Sequence, residues 1–320
     1  MGPDPAVAEV RRAVRAAVAE LPDGPLVVAC SGGPDSTALA AAAAFVADRA
    51  GRSAGMVTVD HQLQPDSARR VRQTAQLGFE LGFDPVLVVP VDVGTAGGPE
   101  NAARVARYGV LDAVAAETGG WLLLGHTRDD QAETVLLGLG RGSGARSLSG
   151  MRPRDGRRVR PLLDVSRQTT RAACVALGLP FWDDPQNVDP RFTRARLRTE
   201  VLPLLEDVLG GGVAAALART AAQLREDSAA LDELADRLAA QLGIVVVSPL
   251  DVATLCTQPR ALRVRLLRLW TRAAGVPSPT AEHYAELDRL LTDWRGQGPV
   301  DLPGGYRVER ASGRLHISEP

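Results

Sequence analysis

The first 140 residues alternate apolar runs of strand length with stretches of helix length, and this alternation constrains the fold more than any other feature. The runs show no regular alternation of apolar and polar residues, so both faces of each strand are expected to be buried. Parallel strands need helix-length crossovers, which the intervening stretches supply. The sequence therefore predicts an α/β fold with a doubly wound parallel sheet. The expected strands lie at 26–30, 56–59, 86–91 and 121–124, and the helices at about 36–50, 66–81, 100–118 and 129–139.

A second, smaller, mainly helical domain is expected towards the end of the chain. The glycine run Gly210–Gly212 is the best hinge candidate. It divides the chain into an expected catalytic domain, 1–210, and an expected accessory domain, 211–320. Leucines recur at helical spacing between 217 and 242, which predicts a long amphipathic helix. Two shorter helices and a few short strands are expected to follow it.

All 37 residues in the combined count of lysine and arginine are arginine. This excludes mechanisms that need a protein lysine, such as a Walker A loop, a protein-kinase active site or a Schiff base with pyridoxal phosphate. The net charge of −1 gives the whole chain no strong field for polyanions. Between residues 141 and 200, however, 13 arginines stand against six acidic residues, an excess of seven positive charges. A polyanion is expected to bind this segment, and a solvated arginine-rich surface is the alternative.

The three cysteines, Cys30, Cys174 and Cys256, are far apart in sequence and form no CxxC pair. Zinc ribbons and dithiol redox centres therefore lack their usual ligand spacing, and a reducing compartment is expected. No signal-peptide core is present, and no apolar run approaches about 18 residues. A cytoplasmic protein without a membrane partner is expected. The sequence allows a homodimer and does not determine the oligomeric state.

Polar residues follow three of the expected strands, and in a parallel sheet these positions meet at one edge. Ser31–Ser36 follow the first strand, Asp60 and His61 the second, and 126–133 the fourth. In the first cluster, two glycines permit a tight turn and a helix follows, so backbone N–H groups are expected to bind an anion. An acidic Asp35 inside an anion site suggests a divalent cation held between carboxylate and phosphate. An ordinary capped strand–turn–helix is the alternative.

The segment LVVACSGGPDSTALA resembles the pyrophosphate loop of the N-type ATP pyrophosphatases. Further segments resemble, in order, motifs of the tRNA(Ile)-lysidine synthetases within that superfamily, and the matches together span about residues 26–205. These segments are VDHQLQPDSARR, ENAARVARYGVL, LLLGHTRDDQAETVLLGLGRGSGARSLSGM and LPFWDDPQNVDPRFTRARLRTEVLPLL. Three positions depart from the family pattern. Gln64 and Ala195 stand where relatives carry arginine and asparagine, and Ala102 stands where the helix motif of the family has another residue.

The resemblance implies an adenine nucleotide alpha-hydrolase-like fold and cleavage of ATP between its α and β phosphates. It further implies that the wobble cytidine of tRNA(Ile) with a CAU anticodon is adenylated and that free L-lysine then displaces AMP to give lysidine. The lysine chemistry absent from the protein would thus be supplied by a substrate. The residues expected to bind ATP and Mg²⁺ are Ser31, Gly32, Gly33, Asp35, Ser36, Asp60 and His61, with Asp35 on the metal.

The expected catalytic residues are Asp35, Arg104, Arg107, Asp130, Glu133 and His126. The residues expected to bind substrates are Asp130 and Glu133 for lysine, and Arg141, Arg146, Arg194, Arg196 and Arg198 for tRNA. The last three arginines alternate, so in an extended segment all three would point the same way. Structural alternatives stay open: acids stabilised by a helix dipole, solvated arginines, and histidines without contact to substrate.

Three other functions are compatible with parts of this pattern. A tRNA thiolase on the same fold would be expected to carry a cysteine pair, which this sequence lacks. A non-catalytic ATP sensor would need the phosphate loop but not the acidic residues of the fourth cluster. A small-molecule amide synthetase would not need the basic middle segment. Pyrophosphate release that depends on both lysine and tRNA distinguishes these functions.

Overall fold

The computed structural model describes residues 2–60, 66–91, 99–141, 144–244 and 249–320. The chain forms two compact units, the first ending at Ala222 and the second comprising Gln223–Pro320. The division after residue 210 that the sequence suggests stays a prediction. Within the described ranges, no single helix combines the length and apolar composition needed to cross a membrane, although the bent pair 193–208 and 213–241 meets those criteria when taken together.

A six-stranded sheet forms the centre of the first unit. Its strands are β1 (Leu26–Ala29), β2 (Ala54–Asp60), β3 (Val86–Pro90), β4 (Trp121–Leu123), β5 (Arg154–Asp155) and β6 (Arg158–Val159). The strand order is β3-β2-β1-β4-β6-β5, and every neighbouring pair is parallel except β5 with β6. The doubly wound parallel sheet expected from the sequence is confirmed, and the two short strands β5 and β6 extend it.

Helices cover both faces of this sheet. They are α1 (Pro5–Ala19), α2 (Pro34–Ala50), α3 (Ser67–Glu80), α4 (Pro99–Glu117), α5 (Arg128–Gly140), α6 (Ala145–Leu148), α7 (Arg167–Ala176), α8 (Thr193–Arg196) and α9 (Leu202–Val208). Successive side chains of a strand point to opposite faces. Leu26 and Val28 accordingly belong to the core formed with α1, α2 and α7, whereas Val27 belongs to the core formed with α4.

Strand β1 lies where the order of the strands reverses. The chain passes from β1 to β2 and β3 on one side and then returns to β4 on the other. Ligands of such sheets bind outside the carboxyl ends of the strands at this reversal. Helix α2 begins five residues after β1 ends, and α5 begins five residues after β4 ends, so both helix N-termini lie at this edge.

The segment with the three alternating arginines is helical rather than extended. Helix α8 continues through a π-helical turn at Leu197–Val201 into α9. The expectation that Arg194, Arg196 and Arg198 point the same way is therefore wrong. Residues four apart share a helix face, whereas residues two apart do not. Arg194 and Arg198 face the acidic helix α5, and Arg196 pairs instead with Glu200 at 2.9 Å on the exposed side.

The second unit combines helices with a small antiparallel sheet, and α10 extends into it from the first unit. The elements are α10 (Val213–Gln241), β7 (Leu250–Asp251), α11 (Val252–Cys256), α12 (Arg260–Ala273), α13 (Ala281–Thr292), β8 (Val300–Asp301), β9 (Arg307–Ala311) and β10 (Arg314–Ser318). The sheet order is β7-β10-β9-β8. Trp270 is fully buried in its core, and Arg263 pairs with Asp288 in the interior. The smaller, mainly helical second domain is confirmed.

Candidate active site

A cavity of about 850 Å³ opens at the carboxyl ends of β1, β2 and β4, within the first unit. Most of the predicted site residues line it: Ser31, Gly33, Asp35, Ser36, Asp60, Arg104, Arg107, His126, Asp130, Glu133, Arg194 and Arg198. Gly32 contributes backbone to the loop at its edge. Three predicted tRNA-binding arginines do not line the cavity: Arg141, Arg146 and Arg196. His61 and Gln64 lie outside the described residues.

The loop between β1 and α2 is held by the hydroxyl of Ser36. This oxygen accepts a hydrogen bond from the backbone N–H of Ser31 at 3.1 Å and donates to the carbonyl of Gly33 at 3.0 Å. Gly32 has φ +82°, and a Cβ there would lie 2.6 Å from Oγ1 of Thr74, so the position requires glycine. Gly33 is the N-cap of α2 and has no side chain to cap the helix. The N-cap residue thus leaves the N–H groups of Asp35 and Ser36 without a side-chain cap, and both residues line the cavity, as expected of an anion-binding loop.

Asp35 is the acidic residue of this loop. The hydroxyl of Thr170 donates a hydrogen bond to its Oδ1, and Nε of Arg167 lies 3.6 Å from its Oδ2. Burial raises the pKa of Asp35 to about 6 against the opposing effect of the Thr170 hydroxyl. Mg²⁺ in proteins commonly binds one or two carboxylates and completes its shell with water and substrate phosphates. Among the described residues no group of three or more potential ligands could hold a metal alone, so Asp35 fits a metal that arrives with phosphate.

Two further carboxylates, Asp130 and Glu133, project from the first turns of α5. Asp130 forms a capping box with Thr127, whose backbone N–H donates to Oδ2 at 2.8 Å. Glu133 is fully buried. Nη2 of Arg167 donates to Oδ1 of Asp130 at 2.7 Å and to Oε1 of Glu133 at 3.2 Å. Nε of Arg198 donates to the same Glu133 oxygen at 2.9 Å. We call Asp35, Asp130 and Glu133 the acidic cluster.

Asp130 and Arg167 stabilise each other in their charged forms. Burial opposes the ionisation of Asp130, but Arg167 and the hydrogen bond from the Thr127 backbone hold the pKa of Asp130 below its usual range. Burial likewise opposes the charge of Arg167, but Asp130, Glu133 and Asp35 together raise the pKa of Arg167 above its usual range. The site can therefore bind cationic ligands only in competition with the guanidinium groups already present.

Arg104, Arg107 and His126 line another wall of the cavity around the ring of Tyr108. The guanidinium carbons of Arg104 and Arg107 lie 5.0 and 5.6 Å from the ring centroid. Nε2 of His126 lies 3.3 Å from the Tyr108 hydroxyl. Burial lowers the pKa of His126 to about 4, so its imidazole is neutral at pH 7. Its Nδ1 is buried and has no hydrogen-bond partner among the described residues.

Sequence reasoning missed three residues that contact this site. Arg167 and Thr170 belong to α7, and Trp182 follows it. The backbone N–H of Trp182 donates to the carbonyl of Gly32 at 2.9 Å, and the Arg70 guanidinium carbon lies 3.8 Å from the centroid of the Trp182 ring. Nothing in the sequence marks them, because Arg167 directly follows the N-cap residue of an amphipathic helix and its spacing matches an ordinary helix start.

Two protein-family models match the chain, one in each of its two parts. A family model described as a PP-loop domain matches residues 7–205, which contain the sheet and the cavity. A second model, described as a TilS substrate binding domain, matches residues 250–316. The fold and the loop after β1 thus define a PP-loop protein that uses ATP.

Sequence comparison with individual relatives shows to which family within this class the chain belongs. A tRNA(Ile)-lysidine synthase from Thermobifida fusca is 57% identical over 321 residues, covering 99% of both chains, and one from Streptomyces coelicolor is 50% identical over 353 residues, covering 100% of both. The chain belongs to the tRNA(Ile)-lysidine synthase family. The solved U34-tRNA thiolase NcsA from Methanococcus maripaludis shares the fold, with a TM-score of 0.59 and 18% identity over 69% of this chain and 79% of that chain.

Proposed function

We propose that this chain uses ATP to activate the wobble cytidine of tRNA(Ile) with a CAU anticodon and joins free L-lysine to its C2 position. The observation that carries the proposal is the presence, in one cavity, of a glycine loop at a helix N-terminus and of two carboxylates, Asp130 and Glu133, that share one arginine. The first suits the phosphates of ATP, and the second suits an amine. Family membership supports the same reaction.

In the activation step the C2 oxygen of cytidine attacks the α-phosphorus of ATP. A bond forms between that oxygen and phosphorus, and the bond to pyrophosphate breaks. The loop Ser31–Ser36 would hold the departing phosphates, and Asp35 would hold Mg²⁺, which supplies neutralising charge there. Arg104 and Arg107 line the same cavity and would stabilise charge that develops on the α-phosphate.

In the second step the side-chain amine of lysine attacks C2 and AMP leaves with the former C2 oxygen. The attacking nitrogen must be neutral, and it loses a proton as the new carbon–nitrogen bond forms. Asp130 and Glu133 would bind the α-ammonium group, which stays charged throughout. Nδ1 of His126 is buried and has no hydrogen-bond partner in the described part of the chain, so it is free to relay the released proton. The imidazole would pass the proton on rather than keep it, because burial lowers the pKa of His126 to about 4.

The tRNA would contact arginines outside the cavity as well as those within it. Arg196 is exposed and pairs with the exposed Glu200 at 2.9 Å. Arg141 is exposed before α6, and Arg146 is exposed within it. Phosphate contacts weaken with salt. Arg196→Glu is expected to reduce tRNA affinity by about tenfold or more while the affinity for ATP stays unchanged. Filter binding at several salt concentrations measures the first and calorimetry the second; equal loss of both would contradict a tRNA contact.

The reaction is tested by incubating the full chain with ATP, magnesium, lysine and a tRNA(Ile) transcript that carries the CAU anticodon. AMP release, and pyrophosphate release beyond a single turnover, should require both lysine and tRNA. Digestion of the tRNA should yield an anticodon nucleoside heavier than cytidine by lysine less one water. Unmodified cytidine in the presence of all four components would refute the proposal. We expect this reaction in the cytoplasm, where these substrates occur together. Sedimentation of the purified chain tests whether it forms a homodimer.

A further inference from the structure

Arg167 has no part in the reaction proposed above, yet it is the residue that contacts the whole acidic cluster. Its Nη2 reaches Asp130 at 2.7 Å and Glu133 at 3.2 Å, while its Nε lies 3.6 Å from Asp35. Its backbone N–H also donates to Oδ2 of Asp129 at 2.8 Å, which fixes the start of α7 against α5. One guanidinium therefore links the phosphate loop to the carboxylates proposed to bind lysine.

The carboxylates of Asp130 and Glu133 have no free side for an incoming amine. Oδ2 of Asp130 accepts two hydrogen bonds from Thr127, at 2.8 and 2.9 Å. The other three oxygens each lie within 3.7 Å of two guanidinium nitrogens. A carboxylate offers about four lone-pair sites in total. An ammonium group that binds both acids must therefore displace a donor.

Arg167 is the donor best placed to leave. The Thr127 bonds cap α5, so their loss would expose helix N–H groups. Arg198 grips Glu133 through two nitrogens, at 2.9 and 3.3 Å, and also donates to Asn187 at 3.2 Å. Of Arg167, Arg194 and Arg198, only Arg167 lies within ion-pair distance of Asp35 in the phosphate loop, at 3.6 Å. A triphosphate bound there carries more negative charge than one carboxylate, and guanidinium groups bind phosphate in bidentate fashion.

We propose that Arg167 is a positioning residue that makes lysine binding depend on ATP. This inference rests on the proposed function. Without nucleotide, Nη2 of Arg167 occupies the position between Asp130 and Glu133 that the α-ammonium group of lysine would take. When ATP enters the loop, the guanidinium turns towards its phosphates and the two carboxylates become available. Lysine and ATP binding are then coupled, and linkage requires that each raises the affinity for the other by the same factor.

The test measures binding rather than turnover. Equilibrium dialysis with labelled lysine gives its dissociation constant with and without magnesium and a non-hydrolysable ATP analogue. For the unmodified enzyme we expect the analogue to lower this constant by about tenfold or more, and lysine to tighten analogue binding equally. Arg167→Gln is expected to bind lysine without nucleotide as tightly as the unmodified enzyme does with it, so the coupling factor falls to near one. Arg167→Lys keeps the charge and is expected to retain part of the coupling.

Arg171→Gln provides a matched control, because Arg171 lies one turn further along α7 and pairs with Asp183 outside the acidic cluster. It is expected to keep the full coupling. Coupling that survives in Arg167→Gln, or lysine binding that is independent of nucleotide in the unmodified enzyme, would overturn the role of Arg167. If Arg167→Gln does not fold, as judged by circular dichroism, Arg167→Lys decides by the same measurement. Failure of the unmodified enzyme to form lysidine would instead refute the proposed function.

Discussion

Replacing Asp130 by asparagine removes one charge from the acidic cluster while keeping the shape of the side chain. Asparagine can still accept the hydrogen bond that the Thr127 backbone donates at 2.8 Å, so the start of α5 is expected to stay capped. What is lost is the negative charge that faces Nη2 of Arg167 at 2.7 Å and that would face the α-ammonium group of lysine. The substitution therefore separates the binding of an amine from the formation of the helix.

The size of the effect follows from these contacts. A hydrogen bond to a charged group contributes about 1.5–3 kcal/mol, which corresponds to a rise in the KM for lysine of about 10- to 150-fold. The KM for ATP should change less than about threefold, because the phosphate loop is built from other residues. Removing one partner of a buried ion pair costs about 3–5 kcal/mol. Glu133 and Asp35 still face Arg167, so we expect the free energy of unfolding to fall by the lower part of that range, about 3 kcal/mol.

The assay is lysine-dependent AMP formation with saturating tRNA and ATP, together with urea unfolding of the same variant. Asp129→Asn is the control, because it makes the same change one residue away and asparagine can keep the bond from the Arg167 backbone N–H at 2.8 Å. Asp129 does not line the cavity. An unchanged lysine KM in Asp130→Asn, or an equal rise in Asp129→Asn, would refute the assignment of Asp130 to the amine.

Three further predictions follow from burial and backbone geometry. Burial lowers the pKa of His126 to about 4 in the folded chain, whereas an unfolded histidine titrates near pH 6.5. The unfolded chain therefore binds the proton first as the pH falls. The free energy of unfolding should drop by about 3 kcal/mol between pH 6.5 and pH 4. Urea titrations of His126→Gln should lack this component. Gly32→Ala places an alanine at a φ of +82°, which alanine rarely adopts, and brings its Cβ within 2.6 Å of Oγ1 of Thr74. Calorimetry should therefore find ATP binding at least about tenfold weaker, and the free energy of unfolding should be about 1–3 kcal/mol lower. Burial raises the pKa of Cys174 to about 12, so iodoacetamide at pH 8 should label the exposed Cys256 first, and mass spectrometry showing early Cys174 labelling would contradict this.

The sheet could be predicted because its strands are continuous apolar runs and its crossovers have helix length. The observed β1, β2, β3 and β4 coincide with the expected runs to within two residues at either end. Strands β5 and β6 could not be found in this way. Each has only two residues, and Arg154–Asp155 is exposed, so no apolar run marks it. These two strands form through pairing with a sheet edge that already exists, which a local sequence pattern does not encode.

The site residues that directly follow strands could be predicted from the sequence, whereas those on a later helix could not. The loop after β1 and the acids after β4 follow from the rule for parallel sheets. Arg167 enters from α7, more than 30 residues after Glu133, and only the tertiary fold brings its guanidinium to the acidic cluster. The prediction that the arginines at 194, 196 and 198 point the same way is wrong because a two-residue spacing places side chains on one face of a strand but on different faces of a helix, and this segment is helical.

Every fixed cation that lines the cavity is a guanidinium, since the chain has no lysine. A guanidinium stays protonated at any pH that a cell experiences and does not act as a nucleophile there. The ε-amine of a protein lysine at the same place would lie next to the activated C2 of the cytidine and could form a covalent adduct with the RNA. Because the fixed positive charge around the acidic cluster comes from arginines, the cavity carries no lysine side chain of its own that could react with the activated carbon, and the attacking amine must diffuse in.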